Sequence, residues 1–172
     1  GFSAQSGVMG RRYRRATAPE GKVLKTRTFG GDAVEVVVEG DFCDETLASA
    51  KAYCAKVGAH FLSPCDDADG MGGEGSGAVG MLDQLGRAPD HLVLPVGGGG
   101  LSAGMISHLC DVGAATEVTL VEPAGGASLT AALKIGAPQT IELTDNFVDG
   151  AAVARIGDRT FEVLGALPPH RV

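Results

Sequence analysis

A run of glycines directly after a buried-type strand pattern constrains this chain more than any other feature. The strand pattern is His91–Val96 (HLVLPV), the run is Gly97-Gly98-Gly99-Gly100, and a helical pattern follows at about Leu101–Val112. Glycines have no Cβ, so several backbone N–H groups can converge on one anion. The start of a helix adds unpaired N–H groups and the positive end of its dipole. The segment therefore predicts a phosphate site without Lys or Arg, the plain alternative being a strand-to-helix turn.

Strand and helix patterns alternate through the second half of the chain. Glu117–Val121 is typical of the next strand and Ala127–Ile135 of the next helix. Upstream, Ala33–Val38 is a β-branched strand pattern, and helical spacing that opens at Asp44 ends at the expected cap Gly58. Such alternation is typical of parallel strands covered by helices. We therefore predict an α/β fold with an open, mostly parallel sheet and helices on both faces.

Shorter segments have weaker patterns. His60–Leu62 and Val153–Arg155 are expected to be brief strands, and Arg159–Leu164 a short helix. The glycine- and acid-rich segment 63–77 (SPCDDADGMGGEGSG) is expected to be a loop that leads into a helix at about Ala78–Leu85.

Composition argues against several classes of partner. The 172 residues carry a net charge of −7, which disfavours nucleic acid and membrane surfaces as partners. The basic block at 11–15 is expected to be a solvated helix face. No apolar run approaches the roughly 18 residues that span a bilayer. The cysteines are widely spaced without a C-x-x-C pair, which predicts reduced thiols in a cytoplasmic protein.

Spacing alone leaves a nucleotide-binding alternative open. Gly98, Gly100 and Ala103 match the looser G-x-G-x-x-G/A dinucleotide fingerprint. Glu122 follows the next strand, where an acidic residue would bind a ribose. A structural glutamate at a strand end is the other interpretation of this residue.

Ordered motifs along nearly the whole chain carry a family resemblance. They are TAPEGKV (17–23), TFGGDAVEVVVEGDFCDET (28–46), FLSPCDDAD (61–69), LVLPVGGGGLSAGM (92–105), VTLVEPAGGASLTAAL (118–133) and DNFVDGAAVARIGDRTFEVL (145–164). In this order they resemble threonine and serine dehydratases, pyridoxal-phosphate enzymes of the tryptophan-synthase-β-like fold. The biosynthetic type of threonine dehydratase, which serves isoleucine biosynthesis, is the most similar.

The resemblance implies a cofactor, a substrate class and a set of site residues. The cofactor is pyridoxal 5'-phosphate, and the reaction is β-elimination of water from threonine or serine to give a 2-oxo acid and ammonia. By this resemblance, the backbone donors to the cofactor phosphate are Gly97, Gly98, Gly99, Gly100 and Leu101. The residue beside the pyridine ring is Gly150.

Departures from the family pattern limit the implied activity. The family's Schiff-base lysine lies in a serine-phenylalanine-lysine motif upstream of this segment, and no lysine here has that context. Phe2 stands where an asparagine contacts the cofactor ring, and the chain ends before the serine that binds the pyridine nitrogen. We therefore expect a polypeptide truncated at both ends, with 1–62 a remnant of the small domain and 63–172 a partial large domain. No catalytic residue is assigned.

Three functional hypotheses follow from these motifs. The first is a dehydratase-like chain with little or no activity alone, and the second is a non-catalytic module that binds pyridoxal phosphate or another phosphorylated molecule. The third is a small Rossmann-type nucleotide binder. Glu122 matches a cation ligand of serine racemases, but Ser128 replaces the second ligand, so we expect no metal site. An incomplete sheet has unpaired edges, which predicts a partner chain, such as a second copy in a homo-oligomer, or poor solubility.

Overall fold

A computed structural model describes residues 2–16, 18–40, 43–145, 147–148 and 150–167. The chain divides into two compact units, Gly1–Phe61 and Leu62–Val172. No helix within the described ranges has both the length and the apolar character needed to cross a membrane.

The first unit has one pair of parallel strands. Its elements are α1 (Phe2–Ser6), β1 (Gly10–Arg14), α2 (Glu20–Gly30), β2 (Val34–Val38) and α3 (Cys43–Val57), with a 3-10 turn at Gly31–Ala33. Strands β1 and β2 pair in a register that sets Gly10 opposite Val34 and Arg14 opposite Val38. The strand predicted at Ala33–Val38 and the helix predicted from Asp44 are therefore present.

The basic block lies on a strand, so the prediction of a solvated helix face was wrong. Arg11 is opposite Glu35 in the β1–β2 register, and the two side chains form an ion pair of 3.2 Å. The Arg11 guanidinium also lies 4.0 Å from the centre of the Tyr53 ring and 5.6 Å from that of Tyr13. Pairing with a β-branched strand and stacking on aromatic rings outweigh the helix propensity of arginine.

The second unit has the predicted alternation of helices and parallel strands. Its elements are α4 (Ala68–Leu85), β3 (His91–Pro95), α5 (Gly100–Asp111), β4 (Glu117–Val121), α6 (Ser128–Ile135) and α7 (Asp158–Leu164), with a 3-10 turn at Ala124–Gly126. Strands β3 and β4 are parallel, with His91 opposite Glu117 and Pro95 opposite Val121. The α/β class with parallel strands and covering helices is confirmed.

The core of the second unit forms on one face of the β3–β4 pair. Leu94 and Leu120 point inward and are almost fully buried, whereas their neighbours Val93 and Val121 are 59% and 51% exposed. Side chains from the helices and from Ile156, just before α7, complete the cluster, which includes Ala103, Ile106, Leu109, Leu129, Ala132 and Leu164. Burial of this face holds the end of β3, and the glycine run after it, in one place.

The segment predicted as a glycine-rich loop is mostly helix. Helix α4 begins at Ala68, because the Asp67 carboxylate caps it by accepting a hydrogen bond of 2.9 Å from the Gly70 N–H. It also crosses α5 closely, since a Cβ on Gly75 would lie 3.0 Å from the carbonyl oxygen of Gly104. The glycines therefore permit close helix packing, and the gain in contact outweighs their poor helix propensity.

The two brief strands predicted at His60–Leu62 and Val153–Arg155 were also wrong. Both segments are irregular, and within the described ranges neither pairs with a strand. The second makes an isolated contact instead, in which the Ile141 N–H donates to the Ala154 carbonyl oxygen at 2.8 Å. Short β-branched or aromatic runs form strands only where a partner ladder is available.

Candidate functional site

The glycine run joins the end of β3 to the first turn of α5. Gly99 is the N-cap residue, and its carbonyl oxygen accepts the first helical hydrogen bond, from the Ala103 N–H at 2.9 Å. The N–H groups of Gly100, Leu101 and Ser102 precede that bond, so the helix itself offers them no acceptor. Together with the helix dipole, they form a cluster of donors suited to an anion.

Glycine is required at Gly99 for its backbone conformation and for its packing. Its φ of 91° lies in the left-handed region, where a side chain is strained. A Cβ at this position would also lie 2.9 Å from the Cβ of Thr160. Gly97 has a comparable close neighbour, because a Cβ there would lie 3.1 Å from the Cα of Ala151. The run is therefore held by close contacts as well as by its own turn geometry.

Buried hydroxyl groups bind two carbonyl oxygens, one shortly before the glycine run and one within it. The Ser102 hydroxyl donates to the Pro95 carbonyl oxygen at 2.7 Å, and the Thr160 hydroxyl donates to that of Gly98 at 2.8 Å. Both side chains are fully buried. Because a buried carbonyl without a donor is costly, the Thr160 bond orients the Gly98–Gly99 peptide unit and leaves the Gly99 N–H on its other side. The N–H on the other side of the Pro95 carbonyl, that of Val96, donates to the Val121 carbonyl oxygen at 2.8 Å.

An aspartate from a distant segment caps α7 beside the loop. One carboxylate oxygen of Asp66 accepts hydrogen bonds from the N–H groups of Arg159 at 2.8 Å and Thr160 at 3.4 Å. A Cβ on Gly157 would lie 2.6 Å from that oxygen, so glycine is needed here for the close approach. The segment around Asp66 thereby fixes the helix that carries Thr160.

Cys65, the residue before Asp66, packs against the glycine run. A Cβ built on Gly98 would clash with Sγ of Cys65 and would lie 2.5 Å from its Cβ, and one on Gly100 would lie 3.1 Å from the Cys65 carbonyl oxygen. Burial raises the pKa of the Cys65 thiol, and the negative charge of Asp66 raises it further. The nearby Gly98 backbone lowers this pKa, and the Glu74 charge raises it, so the net shift is upward.

Glu122 is engaged with the start of α6. Its two carboxylate oxygens accept hydrogen bonds from the Leu129 N–H at 2.7 Å, the Thr130 N–H at 2.8 Å and the Thr130 hydroxyl at 2.7 Å. These bonds satisfy N–H groups that a helix start leaves unpaired. Ser128 is fully buried, and its hydroxyl has no hydrogen-bond partner within the described part of the chain.

Gly150, which is predicted to lie beside the pyridine ring, precedes the residue that contacts the glycine run. Gly150 is exposed and adjoins Ala151, whose Cα approaches Gly97. The turn is closed by the N–H groups of Ala151 and Ala152, which donate to the Val148 carbonyl oxygen at 3.0 and 2.9 Å. Asp149 lies outside the described residues, as does the side chain of Phe2.

Sequence reasoning assigned no role to the side chains that surround the run. Cys65, Asp66 and Thr160 reach it from segments far apart in the chain, and no periodicity connects them. The one available signal was that 61–69 and 145–164 carry the same family resemblance as the run.

The chain matches a recognised class of enzyme. Residues 2–168 match the family described as "Pyridoxal-phosphate dependent enzyme". The chain therefore belongs to the pyridoxal-phosphate dependent enzyme family, whose members use pyridoxal phosphate as cofactor. The fold and the dehydratase resemblance inferred from the motifs are confirmed at this level.

Within that family the chain is similar to biosynthetic threonine dehydratases. It is 41% identical over 161 residues to L-threonine dehydratase biosynthetic of Corynebacterium glutamicum, a match that covers 92% of this chain and 37% of the relative. The corresponding enzyme of Bacillus subtilis is 39% identical over 158 residues, with 92% and 37% covered. The chain thus spans little more than a third of the length of these relatives.

Solved structures have the same fold. The processed form of threonine deaminase isoform 2 from Solanum lycopersicum superposes with a TM-score of 0.80 at 32% identity, covering 91% of this chain and 45% of that one. Maize serine racemase superposes with a TM-score of 0.85 at 21% identity, covering 96% and 49%, and supports the fold alone.

Proposed function

We propose that the loop Gly97–Leu101 binds the phosphate group of pyridoxal 5'-phosphate. The observation that carries the proposal is the left-handed Gly99 at the start of α5, which is followed by three N–H groups that have no acceptor within the helix. A phosphate dianion suits these donors, because hydrogen bonds to a charged group are about twice as strong as neutral ones. Membership of the pyridoxal-phosphate family supports this choice of ligand over other anions.

The chain's own residues supply binding and orientation. Ser102 and Thr160 hold the loop carbonyls, the loop N–H groups hold the phosphate, and Gly150 is proposed to lie beside the pyridine ring. When bound, pyridoxal phosphate supplies an electron sink for the α-carbon of an amino acid. Threonine or serine is the proposed substrate class, since the curated relatives are threonine dehydratases.

We further propose that this chain alone turns over such a substrate poorly or not at all. Its lysines are all exposed on helices: Lys22 and Lys25 on α2, Lys51 and Lys56 on α3, and Lys134 in the last turn of α6. The nearest neighbours of the glycine run belong instead to Cys65, Ala151, Val153, Ile156 and Thr160. These residues support binding of the phosphate and provide no amine for covalent attachment.

A non-catalytic module for phosphorylated ligands is the second candidate, and it shares the same loop. The dinucleotide alternative is disfavoured by Glu122. Its oxygens accept three hydrogen bonds from α6, so a ribose would have to displace the cap of that helix.

A backbone donor can be removed to test the proposal. Leu101→Pro deletes one N–H in the first turn of α5, where proline is tolerated, and Leu101→Ala is the matched control that keeps it. We expect the proline variant to bind inorganic phosphate and pyridoxal phosphate about tenfold more weakly by calorimetry, the loss of one charge-assisted hydrogen bond. The alanine variant should bind like the wild type.

Three ligands separate the alternatives. Pyridoxal phosphate and phosphate should raise the thermal unfolding temperature, whereas NAD should not. Borohydride should trap pyridoxal phosphate only on exposed lysines, so we expect no lysine adduct by mass spectrometry whose yield inorganic phosphate suppresses. Equal affinity of the two Leu101 variants would overturn the loop assignment, and stabilisation by NAD alone would favour the nucleotide binder.

A further inference from the structure

A cleft lies on the surface of the second unit, between helices α4, α5 and α7. Its volume is about 490 Å³, within the range of roughly 300–1,000 Å³ that small-molecule sites have. All of its described lining residues belong to these three helices, and none of them is in the glycine run. The cleft is therefore separate from the proposed phosphate site.

The part of the cleft formed by α4 and α5 has no side chain at three positions, which are Gly72, Gly75 and Gly104. Glycine is needed where the helices cross, since a Cβ on Gly75 would lie 3.0 Å from the Gly104 carbonyl oxygen. A Cβ on Gly72, in contrast, would have no other atom within 4 Å. The space beside Gly72 is therefore open, and a side chain at this position would extend into the cleft.

Apolar side chains form another part of the lining. Met71 and Val163 are partly buried and pack against the core, and Val79 is 41% exposed. Removing such apolar surface from water is favourable, so these residues suit a hydrocarbon group of a ligand.

Ionisable side chains line the cleft as well, and they do not pair with one another. They are His108 and Asp111 of α5 and Arg159 and Glu162 of α7. None of these four side chains makes an ion pair or a hydrogen bond within the part of the chain that the structure describes. Arg155 and Asp158, which have the same spacing as Arg159 and Glu162, form an ion pair of 2.7 Å. The guanidinium and the two carboxylates at the cleft therefore remain available to charges on a ligand.

We propose that this cleft binds a small zwitterion with an apolar body, a molecule with one carboxylate, one ammonium group and a short hydrocarbon chain. The planar guanidinium of Arg159 suits the carboxylate, because it can donate two parallel hydrogen bonds. Asp111 and Glu162 suit the ammonium group, and the apolar lining suits the hydrocarbon chain. A ligand with a single charge would leave one of these two sets without an opposite charge. The inference does not depend on the proposed phosphate function.

Calorimetry with norleucine tests the proposal in the whole chain. Hexanoate is norleucine without its ammonium group, and pentylamine is norleucine without its carboxylate. We expect norleucine to bind about fivefold more tightly than either analogue, which corresponds to one ion pair at an exposed position. Arg159→Gln should lower the affinity for norleucine to about that for pentylamine.

A variant that fills the cleft locates the site. Gly72→Leu places a side chain in the open space and should abolish norleucine binding. Gly73→Leu is the matched control, because Gly73 has the same open surroundings but does not line the cleft. Both variants gain the helix propensity of leucine, so the free energy of unfolding reports any structural effect that they share. Leu101→Pro changes the glycine loop alone and should bind norleucine like the wild type.

The outcomes separate this cleft from the phosphate loop. Loss of norleucine binding in Gly72→Leu, with binding retained in Gly73→Leu and Leu101→Pro, supports the inference. Absence of binding in the wild type, unchanged binding in Gly72→Leu, or equal loss in the two glycine variants or in Leu101→Pro overturns it. Equal affinities for norleucine and either analogue overturn the assignment of a zwitterion. The phosphate function is decided independently, by the binding of inorganic phosphate to the Leu101 variants.

Discussion

The hydroxyl of Thr160 donates a hydrogen bond of 2.8 Å to the carbonyl oxygen of Gly98, which precedes it by 62 residues. This bond links α7 to the glycine run and is fully buried on the threonine side. The Gly157 N–H donates a longer bond of 3.4 Å to the same oxygen, so two donors from the α7 region hold the peptide unit whose reverse side carries part of the proposed phosphate site.

Replacing Thr160 with valine keeps the shape and removes this donor. We expect Thr160→Val to lower the free energy of unfolding by about 1 kcal/mol, because the Gly98 carbonyl keeps only the longer bond of 3.4 Å from the Gly157 N–H. Urea unfolding measures the change. Thr160→Ser keeps the hydroxyl and should lose less. A loss in Thr160→Ser with no loss in Thr160→Val would show that the methyl group matters and the bond does not.

The Asp66 carboxylate should stabilise α7 as its cap. Asp66→Ala removes the acceptor for the Arg159 and Thr160 N–H groups and should cost about 1 kcal/mol in thermal or urea unfolding. Asp83→Ala, at an exposed position on α4, is the matched control and should change stability by less than about 0.5 kcal/mol. A larger effect at Asp83 would contradict the capping role.

Glu122 should contribute through the start of α6. Glu122→Ala leaves the N–H groups of Leu129 and Thr130 without their acceptor, and we expect a loss of about 2 kcal/mol in the free energy of unfolding. Glu122→Gln retains one carbonyl oxygen and should lose about half as much. Unchanged stability in both variants would contradict this capping role and would favour a role of Glu122 in ligand binding.

The crossing of α4 and α5 should tolerate no side chain at Gly104. A Cβ there would collide with the Met71 carbonyl oxygen and would lie 2.9 Å from the Gly75 N. Gly104→Ala should therefore lose about 3 kcal/mol or more through overpacking. Gly73 lies on α4, and a Cβ there would have no other atom within 4 Å. Gly73→Ala should therefore gain up to about 1 kcal/mol from helix propensity. Thermal unfolding of the two variants shows whether the loss comes from packing at Gly104 or from any replacement of glycine by alanine.

The thiol of Cys65 should make stability fall in alkali. Its folded-state pKa is raised above the ordinary value of 9.0, so the folded protein holds this proton more tightly than the unfolded chain does. The resulting contribution is fully present below pH 9.0 and is lost as the pH rises through the folded-state pKa. The difference in free energy of unfolding between wild type and Cys65→Ala should accordingly shift against the wild type above that pH. A difference that stays constant with pH would contradict the raised pKa.

Local patterns sufficed wherever neighbours in the chain decide the structure. The β3 strand, the turn at Gly97–Gly100 and helix α5 follow from an apolar run, residues without a Cβ and helical spacing, and all three are present. The family followed from ordered motifs, because their sequence order is preserved whatever their packing. The roles of Gly97–Gly100, Leu101 and Gly150 at a bound cofactor stay predictions.

Tertiary packing decided the elements whose local preferences are weak or contrary. Helix α4 forms through a glycine-rich segment because it packs closely on α5, and β1 forms from an arginine-rich segment because β2 and an aromatic ring are available beside it. No local pattern contains these partners, so propensity alone predicted a loop and a helix face.

By itself, the sequence determined that a strand, a glycine turn and a helix form a donor cluster in a pyridoxal-phosphate family chain. Only the tertiary structure decided what surrounds that cluster. Cys65 and Thr160 meet Gly98 from opposite ends of the second unit, because burial of one face of the β3–β4 pair brings those segments together. Contacts between such distant residues depend on how the core closes, which no short stretch of sequence encodes.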